Sequence, residues 1–220
     1  MQLADDLFFY PWTQHTVNNC NSYLIGGELP TLVDPGHDQL YGHLEVGLTG
    51  DGQKDLPGLV IVTHSHPDHL EAAVRLQRQG AKVALHPVEA EFLAGEGRAL
   101  AAAMGLPAYD IVPDLFLEEG ELFLGQEQLQ VLHTPGHSPG HLCLYWPRHK
   151  ALFAGDLVFA QGVGRVDFPG GSGEDLKDSL KRVANLDLEL VLPGHGPILK
   201  GKEQIAANFQ LIERMYFDML

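Results

Sequence analysis

The segment Thr63-His64-Ser65-His66-Pro67-Asp68-His69 packs three histidines and an aspartate into six residues. It follows an apolar run, residues 59–62, and precedes a helical pattern. A strand that ends in a tight loop can send alternate side chains to one spot, so His64 and His66 can share one ion. Asp68 and His69, at the turn into the helix, can face a neighbouring ion. Neutral imidazole and carboxylate are the donors that divalent zinc, manganese or iron accepts. One histidine here would read as a polar surface residue and Asp68 as a helix cap. The whole cluster, placed directly after a buried strand, reads as a metal site.

Three later segments offer further donors. Residues 133–141 read His-Thr-Pro-Gly-His-Ser-Pro-Gly-His, a turn-rich loop carrying His137. Asp156 closes the run Phe153-Ala154-Gly155, and His195 sits in Pro193-Gly194-His195-Gly196. Glycines there let backbone and ligand approach closely. Each signal alone is weak, because aspartate after a strand is commonly a turn former. Joined to the first cluster they make seven donors, all at predicted strand ends.

The elements that must position these residues alternate between short apolar runs and helical stretches, the pattern of an α/β chain. Residues 22–26 and 30–34 read as a hairpin ending in Asp34-Pro35-Gly36; residues 59–63 and 82–85 read as buried strands. Residues 68–79 form a helix closed by Gly80, and residues 89–104 read as a second helix. Residues 105–114, with two prolines, read as a surface loop. In the second half, residues 121–124, 129–132, 142–145, 152–154 and 188–192 read as strands, and residues 174–185 as an amphipathic helix. Ile205, Phe209, Ile212, Tyr216 and Met219 lie on one stripe of a terminal helix, about 201–220. No linker divides the chain, so residues 1–220 read as one domain. The two halves echo one another: TLVD precedes LVIVTHSH, and LFAGD precedes LVLPGHG. Each half would thus deliver polar residues from strand ends to one edge of a layered sheet structure.

The ordered set His64-x-His66-x-Asp68-His69, His137, Asp156 and His195 resembles the metallo-β-lactamase-fold hydrolases, over most of the chain. The resemblance implies a four-layer αββα sandwich with mixed sheets and a metal site at their edge. It implies one ion on His64, His66 and His137, a second on Asp68, His69 and His195, and Asp156 bridging them. Asp34 would be the carboxylate behind the ligands that orients them. The cofactors implied are two divalent ions, zinc first, with iron or manganese as alternatives.

Within that family the chain looks most like short glyoxalase II-like proteins, which hydrolyse thioesters of glutathione, and the related persulfide dioxygenases. The stretch Gly162 to Gly171, containing Gly164-Arg165-Val166-Asp167-Phe168, is similar to a segment of both. Arg165 either faces a substrate carboxylate or forms a structural pair with Asp167. β-Lactamases of the best-known subclass carry cysteine where this chain has Asp156. Glyoxalase II has a helical C-terminal domain for glutathione contacts, whereas one helix follows His195 here, so those contacts are not carried over. Glu71 also departs from the small residues usual after the Asp-His pair.

The expected activity is hydrolysis of a small thioester by a metal-bridging hydroxide, with Asp68 and Asp156 at the reacting centre. The rival activity is a mononuclear iron persulfide dioxygenase using His64, His137 and Asp156. A metal-binding module without turnover is a third reading. The 220 residues carry 14 basic against 29 acidic residues, a net charge of −15, which argues against nucleic acid or an anionic membrane as partner. A small-molecule substrate is expected. The terminal helix either caps the active site or makes a homodimer. Two cysteines make no disulfide framework. With no signal-like start and no membrane-length apolar stretch, the expected location is the cytoplasm. Cys20 and Cys143 are expected to be small packed residues, not nucleophiles.

Overall fold

The computed structural model describes residues 1–14, 16–52, 56–103 and 111–220. Its first sheet contains β1 (Gln2–Ala4), β2 (Leu7–Tyr10), β3 (Ser22–Ile25), β4 (Thr31–Val33), β5 (Leu59–Ile61), β6 (Lys82–Leu85) and β7 (Leu115–Phe116), in that spatial order. Strands β1 to β4 pair antiparallel and β4 to β7 parallel. Between them in the chain lie α1 (Tyr41–Gly50), α2 (Pro67–Arg78), α3 (Pro87–Ala94) and α4 (Glu96–Ala103). The remaining elements are β8 (Gly120–Leu124), β9 (Glu127–His133), β10 (Leu142–Trp146), β11 (Ala151–Gly155), β12 (Val158–Phe159), β13 (Gly162–Val163), α5 (Gly173–Ala184), β14 (Leu190–Pro193), β15 (Leu199–Lys200) and α6 (Lys202–Tyr216). The second sheet runs β15-β14-β11-β10-β9-β8, and β12 pairs with β13 as a separate ribbon.

Strand alternation builds the layers. Tyr23, Ile25, Val33, Leu59 and Ile61 of the first sheet meet Val131, Leu144, Trp146, Phe153 and Leu192 of the second in the core between them. The intervening positions Leu24, Leu32 and Val60 face outward and pack with Leu44 of α1 and Leu70, Ala73 and Leu76 of α2. On the far side, Cys143, Leu152 and Val191 pack with Leu176, Leu180 and Val183 of α5 and Ile205 and Ile212 of α6. The result is the αββα sandwich, with mixed sheets. Residues buried on both faces explain why β5 and β14 read as continuous apolar runs. Each fully buried Leu or Phe contributes about 1.5–3 kcal/mol.

Strand direction places the site. β4 and β5 run parallel, as do β11 and β14; β9 and β11 are both antiparallel to β10. The C-terminal ends of these strands therefore release Asp34, His64, the His137 loop, Asp156 and His195 toward one edge. Asn21 and Tyr23 stitch the sheets there, Asn21 Nδ2 and Tyr23 Oη donating to Pro193 O at 3.0 and 2.8 Å.

Several local expectations change. The helix expected over 89–104 is two helices, α3 and α4, broken at Gly95, whose φ of −103° and ψ of −102° are not helical. Met104 and residues 105–110 of the expected loop lie outside the described residues. The terminal helix ends at Tyr216, so Met219, 72% exposed, stands off the apolar stripe. Strands β1 and β2 and helix α1 add elements that apolar patterning did not show. Cys20 and Cys143 are free and buried. Among the described residues no helix is long and apolar enough to cross a membrane.

Candidate metal centre

Local geometry turns the His64–His69 segment inward. His66 is extended, with φ −64° and ψ 143°, as the residue before a proline prefers. Pro67 then opens α2, where a missing N–H costs nothing, and Asp68 and His69 fall in the first turn. Asp34 takes a left-handed φ of 53°, unusual for a residue with a side chain. Its Oδ1 accepts from Thr63 N at 2.8 Å, and its Oδ2 accepts from Thr63 Oγ1 at 2.8 Å and His69 Nδ1 at 2.9 Å. The strained backbone thus holds the carboxylate behind the His64–His69 segment.

Three overlapping groups, His64-His66-His137, His64-His69-Asp156 and Asp68-His69-His195, each bring their donor atoms within 4.8 Å of one another. All seven donors singled out in the sequence therefore lie in one cluster. His64 Nε2 is 3.0 Å from His66 Nδ1 and 3.2 Å from His137 Nε2, and the last two are 3.0 Å apart. Asp156 lies between the groups. Its Oδ2 is 3.5 Å from His137 Nε2 and 3.4 Å from His195 Nε2, and its Oδ1 is 3.3 Å from His69 Nε2. Asp68 Oδ2 lies 3.2 Å from His195 Nε2.

Outer hydrogen bonds fix which ring nitrogens carry protons. His137 Nδ1 donates to Arg165 O at 2.8 Å, an atom that can only accept. His69 Nδ1 donates to Asp34. Thr63 Oγ1 gives its proton to Asp34, so it accepts from His64 Nδ1 at 3.1 Å. The Nε2 atoms of His64 and His137 therefore turn bare lone pairs toward each other. Buried Asp156 Oδ1 also lacks a hydrogen-bond partner. Converging lone pairs and an orphaned carboxylate oxygen are unfavourable by themselves and fit a divalent cation, for which imidazole and carboxylate are the usual donors.

Electrostatics divide the cluster. Burial, then the charges on His69, His66 and His137, hold His64 well below the usual imidazole range. Burial and the His137 charge push His66 down to about 4. Burial would lower His195 too, but its bonds to Asp156 and Asp68 outweigh that and push it up to about 9. Likewise the Asp156 charge overcomes burial and raises His69.

Glycines leave the space the donors occupy. A Cβ at Gly194 would strike Asp156 Oδ1 and come within 2.6 Å of His69 Cε1. One at Gly155 would lie 2.6 Å from His141 Nε2. Arg165 is 53% exposed and gives both arms of its guanidinium to Asp167, at 2.7 Å each, while covering the Phe168 ring at 3.7 Å. Glu71 turns to His37 Nδ1 at 2.8 Å.

The fold and this cluster can be set against known proteins. Residues 15–195 match the metallo-beta-lactamase superfamily. The chain belongs to that superfamily. A probable metallo-hydrolase of Methanocaldococcus jannaschii is 34% identical over 187 residues, covering 81% of this chain and 88% of that protein. Hydroxyacylglutathione hydrolase GloC of Haemophilus influenzae is 32% identical over 185 residues, covering 81% and 85%. The crystal structure of TTHA1623 in a di-iron-bound form superposes with a TM-score of 0.74 at 36% identity, covering 96% of this chain and all of that one. As a metallo-beta-lactamase superfamily member, the chain is a metal-dependent hydrolase by family, with a donor set for divalent metal.

Around this superfamily centre, patterning did not reveal three supporting residues. His141, in the quoted loop, donates through Nδ1 to Thr134 Oγ1 at 2.9 Å and accepts from Asp156 N through Nε2 at 3.1 Å. It thereby holds the Asp156 backbone, and burial pushes its pKa down to about 3. Asn18 Nδ2 donates to Asp68 Oδ2 at 2.7 Å. Glu89 is buried against the loops of His64 and His137. The repeated Pro-Gly-His of residues 135–141 was a signal for His141; lone Asn18 and Glu89 had none.

Proposed function

We propose that this chain hydrolyses a small thioester at a binuclear metal centre, with one ion on His64, His66 and His137, the other on Asp68, His69 and His195, and Asp156 between them. The observation that carries the reading is the meeting of the bare Nε2 atoms of His64 and His137 beside Asp156, whose buried Oδ1 lacks a hydrogen-bond partner, supported by the kinship to hydroxyacylglutathione hydrolase. When bound, such a pair of ions, zinc by preference, supplies an activated water near neutral pH and polarises a carbonyl.

The chain's own residues do the rest. Asp34 and Thr63 lock the rings of His69 and His64, and Arg165 O locks His137. Asn18 holds Asp68 Oδ2, the oxygen that also faces His195 Nε2. Asp68 and Asp156 stay ionised as donors, because, against burial, the His195 bond and the His69 charge hold Asp68 and the His69 and His195 interactions hold Asp156 well below the usual carboxylate range. A cavity of about 300 Å³ opens beside His195 and is lined by Trp12, Gln14, Thr16, Asn18 and Asn19. The amides of Gln14, Asn18 and Asn19 along that wall suit a small polar acyl group. A larger cleft, about 490 Å³, lies between α5 and α6 and includes none of the seven donors; chemistry selects the smaller. Cysteine nucleophiles are unnecessary: burial raises both thiols, Cys143 to about 12, so neither is a thiolate at neutral pH.

The test is release of free thiol from a hydroxyacylglutathione by the metal-loaded protein. Turnover that is lost on chelation and restored by zinc is expected. Absence of hydrolysis, together with oxygen consumption on glutathione persulfide, would overturn the reading in favour of sulfur oxidation.

A further inference from the structure

Glu89, the third residue of α3, is 1% exposed and belongs to none of the donor groups. Its Oε1 accepts from Ser65 N at 2.7 Å and Ser65 Oγ at 2.6 Å. Its Oε2 accepts from Ser138 Oγ and Gly140 N, both at 2.8 Å. Ser65 stands between His64 and His66, and Ser138 directly follows His137. A single carboxylate therefore holds, one oxygen to each, the two loops that carry this triad, and those loops come from different sheets. Four acceptor sites meet four donors, a demand that a glutamine, whose amide nitrogen can only donate, does not meet. The fit is close: a Cβ on Gly140 would collide with the Glu89 backbone, and one on Gly136, across the same loop, with Leu176 of α5. The His137 loop is wedged between two helices, and Glu89 sets its distance from His64 and His66.

We propose that Glu89 is a positioning residue for the His64-His66-His137 triad and governs its metal affinity separately from the Asp68-His69-His195 triad. Asp34 grips His69 directly and reaches His64 only through Thr63, so the two triads have different supports. The inference rests on the two-ion reading of the cluster.

The experiment is chelator competition on zinc-loaded protein in two backgrounds. In His195→Ala, which disables the second triad, adding Glu89→Gln should weaken the remaining zinc by about 10- to 100-fold, the usual cost of losing a ligand's support. In His66→Ala, which disables the first, adding Glu89→Gln should leave zinc affinity unchanged. If Glu89→Gln does not fold, Ser138→Ala removes one tether and should show the same selectivity at smaller size. Equal weakening in both backgrounds, or none in either, overturns the role of Glu89. A wild-type chain that holds fewer than two ions overturns instead the two-ion reading beneath it.

Discussion

The His64-His66-His137 triad and the Asp68-His69-His195 triad sit side by side around Asp156, yet they are prepared differently. The first is all imidazole and spans loops from both sheets; burial keeps His64 and His66 neutral, and the bare Nε2 atoms of His64 and His137 face each other. The second contains its own carboxylate, and carboxylates raise His69 and His195, the latter to about 9. Without metal, carboxylate-held protons tie the second triad together, while the first turns the bare Nε2 atoms of His64 and His137 toward each other. The first triad therefore depends on an external clamp, Glu89, to keep its nitrogens together. The second is drawn together by its own charges and steadied by the strained Asp34. One cluster thus contains a site built by desolvation and a site built by charge.

Breaking the element common to both should have the largest effect. Asp156→Ala removes the carboxylate between the triads and should abolish metal-dependent thiol release while far-UV circular dichroism stays native; near-normal turnover would contradict the shared role. Asp34→Asn tolerates the left-handed backbone but cannot accept from all of its partners. It should weaken the second triad by about 10- to 100-fold, read as loss of one ion per chain under mild chelation. Gly194→Ala pushes a methyl into Asp156 and His69 and should cost about 1–3 kcal/mol, read as a lowered urea midpoint and reduced ion content.

A pH prediction separates the cluster from the scaffold beside it. His86, the residue before α3, stacks on His133 with ring centroids 4.1 Å apart. Burial and the His133 charge push His86 down from 6.5 to about 4. A depressed histidine means that the unfolded chain takes up the proton first, so stability is full above pH 6.5 and is lost as pH falls toward 4. The chain should lose stability from this group between pH 7 and 5, measurable by urea unfolding of metal-free protein. His86→Gln should flatten that slope; an unchanged slope would place the acid sensitivity elsewhere.

Short-range features of the centre were readable from residue order alone. The His64–His69 run is one strand end and one helix turn, so its spacing dictates its geometry, and Asp156 and His195 follow apolar runs long enough to identify. The layers were equally plain, because the buried strands carry period-two or continuous apolar patterns. Glu89 was not readable: its partners lie 24, 49 and 51 residues away, and an acid in a helix looks like a solvated face. Strands β1 and β2, separated by a turn at Asp5 and Asp6, were not read from the pattern. Helix α1 holds Gly42, Gly47 and Gly50, poor helix formers, and is kept helical by Tyr41, Leu44 and Leu48 packing on the first sheet. Arg165 had two readings, a substrate carboxylate or a pair with Asp167, and its guanidinium bonds Asp167, two residues away.

The most direct measurement is metal content per chain, by mass spectrometry on protein purified anaerobically without added metal. Two triads around a shared Asp156 predict about two divalent ions per chain, falling to about one in His195→Ala. Close to one iron in the unaltered chain, undiminished by His195→Ala, would contradict the account and leave a mononuclear centre on His64, His137 and Asp156.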